Sequence, residues 1–176
     1  MEHESPRILV TVAFLTALGA VLHLVEDMLP LRFLYVFPGA RLGFANIVTL
    51  VALTLWDWKK ALLVSILRVG LGGLLGGYLL HIGFFLAFGG ALLSLSAMAV
   101  LKCAGFSLLI ISVGGAIFHN VGQVLVASVY MQTTTVYWFL AYLFPLAVPS
   151  GLLTGYLAGL LAASWKKMPF PIKGQR

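Results

Sequence analysis

The sequence predicts an all-α integral membrane protein, a single bundle of spanning helices occupying residues 1–176. Two observations predict it. The chain is 61% hydrophobic and only 9% charged, whereas soluble domains carry about 25% charged residues, and its mean hydropathy is +1.06. From Cys103 to Trp165 there is no Asp, Glu, Lys or Arg at all. A run that apolar belongs in a bilayer, where only closed hydrogen-bonded backbones such as helices are tolerated.

Six segments follow from the need for about 20 apolar residues per span. The first, about 7–29, stops at Pro30. The opening MEHESPR carries Glu2 and Glu4, a poor start for a cleaved leader, so this segment is read as a retained helix. The second, about 42–56, is short for a full span. The third is about 59–80 and the fourth about 82–101. The fifth is about 107–131. The sixth, about 137–165, contains Pro145 and Pro149. Glycines at 72, 73, 76 and 77, and at 151, 155 and 159, put small residues on helix faces and read first as close packing.

Charge sets the orientation. With the N-terminus in the cytoplasm, Arg7, Lys59, Lys60, Lys102, Lys166, Lys167, Lys173 and Arg176 fall inside, and Arg32 and Arg41 outside. The positive-inside rule therefore places both termini of this multi-pass protein in the cytoplasm. The net charge of +6 is spread between apolar segments, which argues against a nucleic-acid partner. A single cysteine, Cys103, makes neither an internal disulfide nor, alone, a metal site.

Polar residues within the spans point to function, because each is costly in hydrocarbon. On this topology Glu26, Asn46, His119, Asn120 and Gln123 lie from the midplane outward. Arg68, eight residues beyond Lys60, lies roughly 12 Å deep. The inner half is nearly bare. On segment five, residues 119, 120 and 123 are read as sharing one side. An outward-facing polar pocket accounts for the asymmetry; interhelical hydrogen bonds, or an internal ion pair of Arg68 with Glu26 or Asp27, are the structural alternatives. His23 and His81 read as interfacial. No catalytic residue is expected: adjacent carboxylates occur only at Glu26-Asp27, and no nucleophile–base pair, phosphate loop or zinc spacing appears. No cofactor or metal is expected either.

The runs LVEDMLP, PGARLGFANIVTL, SILRVGLGGLLGG, GGALLSLSAM and GGAIFHNVGQVLVA together resemble the Gx transporter family over about residues 22–162. Members of that family are labelled heptaprenyl diphosphate synthase component I, and the family is similar to the substrate-binding S components of energy-coupling factor (ECF) vitamin transporters. The resemblance implies a six-helix S-component fold with an outward pocket lidded by loops. It implies as partners a transmembrane coupling subunit and two ATPase subunits. Docking by an Ala-x-x-x-Ala pattern on helix one matches Ala13 and Ala17 here. The family's motif positions fall on Pro38, Gly39, Gly43, Asn46, Arg68, His119, Asn120 and Gln123.

The functional expectation is a binding subunit for uptake of a small metabolite, not an enzyme. Arg68, with Arg41, would hold an anionic group, and Glu26, Asn46, His119, Asn120 and Gln123 would meet polar atoms. Phe33, Tyr35, Phe37, Phe84 and Phe85 would cover an apolar part. The alternatives are a non-catalytic membrane accessory of prenyl diphosphate or quinone synthesis, and a stand-alone proton-coupled transporter. The last is disfavoured because no acidic residue lies near the midplane.

Overall fold

The computed structural model describes residues 6–28 and 43–166. Helix α1 is Pro6–Met28, α2 Asn46–Leu55, α3 Trp58–Leu75, α4 Ile82–Cys103, α5 Leu108–Met131 and α6 Leu140–Lys166, the last preceded by a 3-10 turn at Thr135–Phe139. There is no strand among the described residues. Four stretches are long and apolar enough to cross a membrane: Ile8–Glu26, Ile82–Cys103, Leu108–Met131 and Thr135–Trp165. The chain is an all-α protein built for a bilayer.

Helix α2 is the centre of the bundle. At 10 residues it is about 15 Å long, half the hydrocarbon thickness. Every residue except Thr54 is buried, and α2 packs against each of the other five helices. Such a helix can be short because it meets protein on all sides. Its sequence NIVTLVALTL is apolar all round, as a wholly buried helix requires. Val48, Leu50, Val51 and Leu53 form the middle of the main core with Val12 and Leu15 of α1, Val64 of α3, and Leu95 and Met98 of α4.

The segment ends follow local chemistry. The α2 terminus is held by Lys102 of α4, whose Nζ donates to the carbonyls of Leu53 and, at 3.4 Å, Trp56. Asp57 then caps α3 by accepting from the Lys60 N–H at 2.9 Å. That bond holds the Asp57 carboxyl below its ordinary value. Helix α3 ends at Leu75, five residues before the end expected from hydropathy. Gly77, with φ +72°, takes the left-handed position of a Schellman stop. In that motif the Tyr78 N–H reaches Gly73 O at 3.0 Å and the Gly77 N–H reaches Leu74 O at 3.3 Å. Helix α2 is likewise shorter than its expected 42–56, because Gly43, Phe44 and Ala45 form a turn before it.

Successive helices run antiparallel, so the bundle has two ends. One collects the starts of α3 and α5 and the ends of α2 and α4, with Trp58, Lys59, Lys60 and Lys102; we call it the lysine end. The other, the connector end, carries Tyr78, Tyr130, Tyr137 and Trp138. The glycine stripe of α6 packs against α5: a Cβ at Gly151 would lie 2.6 Å from the Val113 backbone, and one at Gly155 2.8 Å from Ser112 Cβ; in the other stripe a Cβ at Gly77 meets nothing within 4 Å.

Candidate functional site

The polar side chains of the connector half converge on the start of α2. Gly43, at φ +83°, turns the chain so that its N–H meets the Glu26 carboxylate of α1 at 2.8 Å. Its carbonyl accepts from the Asn46 N–H at 2.8 Å, opening α2. Asn46 Oδ1 in turn takes the Arg68 Nη2 at 2.5 Å, and Thr49, one turn further along α2, accepts from Arg68 Nε at 3.0 Å. Residues 46 and 49 share a helix face, which is why one guanidinium reaches both. Arg68 is 2% exposed and Glu26 2%. The arginine stem fits because Gly19 of α1 has no side chain; a Cβ there would lie 3.0 Å from Arg68 Cδ and 2.6 Å from Val48.

His119 and Gln123 approach from α5. A Cβ at Gly43 would sit 2.9 Å from Asn46 Nδ2 and 3.5 Å from His119 Cδ2, so imidazole and amide flank the same point above Gly43. On the other side, Gly90 of α4 makes room for both: a Cβ there would be 2.8 Å from His119 Cε1 and 3.0 Å from Gln123 Cγ. Arg68, Asn46, Glu26, His119 and Gln123 thus come together from α1, α2, α3 and α5, with α4 closing one wall.

Asn120 does not join them. Its Nδ2 donates to Leu143 O of α6 at 3.2 Å, since one residue turns a helix by about 100°. The expectation that 119, 120 and 123 share one side is therefore corrected: Asn120 ties α5 to α6. Arg41, Pro38, Gly39, Phe33, Tyr35 and Phe37 lie outside the described residues. Ala13 and Ala17 are exposed on α1. Phe84 stacks on Phe88 and presses on Gly73, while Phe85 faces outward into a groove with Ile82, Leu125 and Val129. His23, expected at the interface, is instead buried against Gly72 and stacks on Tyr78 with centroids 5.9 Å apart. His81 is exposed, as expected of an interfacial residue.

Sequence reasoning missed Thr49 and a layer of hydroxyls toward the lysine end. Thr16, Ser65 and Ser94 are buried, and Ser112 bonds Thr154 at 2.8 Å. That half of the bundle lacks buried charges among the described residues but is not bare of polar groups. The i, i+3 spacing of Asn46 and Thr49 was the available signal for Thr49. Among the described residues, no three His, Cys, Asp or Glu are close enough to hold a metal ion.

The fold and site define a helical membrane protein with a buried, charge-bearing polar cluster in one half of the bundle. The chain belongs to the heptaprenyl diphosphate synthase component I family, whose model matches residues 15–161. No curated protein and no solved structure matches it.

Proposed function

We propose that this chain is the substrate-binding membrane subunit of an ECF-type importer, with six membrane helices and both termini in the cytoplasm. The carrying observation is the cluster of Arg68, Asn46, Glu26, His119 and Gln123, buried in the connector half and remote from the lysine end. A buried arginine in a membrane helix is costly and marks a ligand or ion pathway by default. In this reading the connector end faces outward and the ligand, a small vitamin-like, quinone-like or isoprenoid-precursor molecule, enters there. The chain's own groups bind and orient it without bond-making chemistry.

The lysine end faces the cytoplasm, where a transmembrane coupling subunit and two ATPase subunits supply energy. Docking uses the outer face of α1, where Val10, Ala13, Phe14, Ala17 and Val21 are exposed. The two alanines make it a shallow strip on which another helix can lie closely. The test is uptake in vesicles containing the coupling module, with Ala13→Leu and Ala17→Leu variants. Loss of uptake with retained ligand binding supports the reading; unchanged uptake in both variants refutes the docking face.

The family description favours a second reading, a component of a prenyl diphosphate synthase complex. Under it the chain is a non-catalytic membrane accessory. Co-purification of a soluble prenyl synthase, with no uptake in the reconstituted vesicles, would decide for it.

A further inference from the structure

We infer that a second binding layer lies beneath the buried cluster, formed by the hydroxyls of Thr16, Ser65 and Ser94. It holds an uncharged, hydroxyl-type oxygen, supplied by a ligand alcohol or by an ordered water. This layer deepens the binding-subunit reading, on which its assignment to a ligand rests. In an apolar helix a serine or threonine satisfies its own hydroxyl by donating to a carbonyl one turn back. Thr54 does so to Leu50 O at 2.7 Å, Ser96 to Leu92 O at 2.9 Å and Thr154 to Gly151 O at 3.1 Å. Thr16, Ser65 and Ser94 do not. They are 3%, 1% and 0% exposed, and among the described residues no group bonds their Oγ atoms. A buried polar oxygen calls for a partner, and the helix that carries each of these does not provide it.

The three oxygens form a layer one helical turn below the cluster. Gly19 of α1 abuts Arg68, and Gly72 of α3 abuts His23. Helices α1 and α3 therefore run side by side in one direction. Thr16 and Ser65 each sit three residues, about 4.5 Å, toward the lysine end of the Gly19–Arg68 contact. Helix α4 runs the opposite way. Its Gly90 borders His119 and Gln123, and Ser94 is four residues, about 6 Å, deeper. Val69 of α3 packs with Ala87 and Ala91 of α4; one turn deeper on each helix come Ser65 and Ser94. Thr49, three residues beyond Asn46 on α2, joins the two layers by accepting from Arg68 Nε at 3.0 Å.

The chemistry of the layer selects the atom it takes. A hydroxyl offers one donor and two acceptor sites, so an oxygen that both donates and accepts suits all three better than a pure donor or a pure acceptor. The spans that carry or adjoin the layer, residues 8–25, 46–55, 61–67 and 82–101, contain no Asp, Glu, Lys or Arg. An ion at this depth would find no counter-charge on them, and an unpaired buried charge is costly. An alcohol or water oxygen brings no charge.

The test is radiolytic hydroxyl-radical footprinting of the full chain in a non-ionic detergent, with heavy-oxygen water as the probe. Met98 is a built-in reporter. It is 1% exposed, and its Sδ and Ser94 Oγ flank one point, 2.8 and 3.2 Å from a Cβ placed on Gly115. A water held by Ser94 should mark Met98 with heavy oxygen in wild type several-fold more than in S94A. S96A, whose hydroxyl is exposed and bonded to its own helix, should leave the mark unchanged. Should S94A not fold, S65A and T16V, which keeps the side chain's shape, take its place. A ligand source leaves Met98 unmarked, and mass spectrometry of the purified protein then finds a hydroxyl-bearing compound that S65A and T16V release. An unmarked Met98 with no such compound overturns the inference, as does a mark equal in wild type and all three variants. So does a higher unfolding midpoint in S65A and T16V with mark and compound unchanged, because an unbonded buried hydroxyl is a cost that its removal relieves. A marked Met98 stands whether or not the vesicles import, whereas an overturned layer leaves the Arg68 cluster and the importer reading untouched.

Discussion

Gly122→Ala is the sharpest test of how the site is held. Helices α4 and α5 cross where Gly122 faces Gly89 and Gly90. A Cβ on Gly122 would lie 2.5 Å from Gly89 O, 2.8 Å from Gly90 Cα and 2.9 Å from Gly89 C. All three neighbours are backbone, so no side-chain rotation relieves the clash and the helices must separate. Overpacking of this kind costs about 1–3 kcal/mol. Alanine recovers about 1 kcal/mol of helix propensity over glycine. The expected net is therefore a loss of up to about 2 kcal/mol, and more if the seam opens along its length. Gly70→Ala is the matched control, since a Cβ there meets nothing within 4 Å. It should gain up to the same ~1 kcal/mol of propensity and lose nothing. The assay is reversible unfolding in mixed micelles, comparing the two variants with wild type. Because Gly90 on the same seam borders His119 and Gln123, Gly122→Ala should also weaken ligand capture, and Gly70→Ala should not. Equal stability of the two variants would refute the account of the seam as a backbone-to-backbone contact.

Further outcomes can be checked in the same system. Asn46→Ala removes a hydrogen bond to a buried guanidinium and should cost about 1.5–3 kcal/mol, read as a shift in the unfolding midpoint. Gly43→Ala must hold a left-handed φ of +83° and crowd Asn46 Nδ2 at 2.9 Å; it should lose about 1–2 kcal/mol from backbone strain alone and bind ligand poorly. Asn120→Ala should cost about 0.5–1.5 kcal/mol while leaving ligand affinity unchanged, because its Nδ2 serves Leu143 O. Asp57→Ala removes the α3 cap and should cost about 0.5–2 kcal/mol. The folded Asp57 carboxyl lies below its ordinary value, chiefly through the Lys60 N–H bond. Its stabilisation is thus fully present above the ordinary carboxylate range and lost as pH falls through the lowered folded value. Stability of wild type minus Asp57→Ala, measured against pH, should shrink in that acid window.

The membrane class and most helices were legible in the sequence because both depend on local composition. A span needs a long apolar run whatever it packs against, and α4, α5 and α6 lie close to their expected limits. Arg68, His119 and Gln123 were also legible, because polar groups in an apolar run stand out without any structure. The family match over residues 15–161 agrees with the resemblance read from short sequence blocks.

What only the tertiary structure decided concerns direction and company. Helical spacing puts 119, 120 and 123 near one another, but the α4 and α6 neighbours separate them, sending His119 and Gln123 to Gly90 and Asn120 to Leu143 O. Depth along a helix placed His23 near an interface, whereas the missing side chain of Gly72, on another helix, lets it bury. Thr49 looked like any threonine in an apolar helix until Arg68 arrived from α3. Glu26 stood out in the sequence as a polar group, but that its carboxylate meets the Gly43 N–H beside the start of α2 follows from the fold. Composition reports that a side chain is polar; which partner satisfies it depends on contacts between residues far apart in the chain.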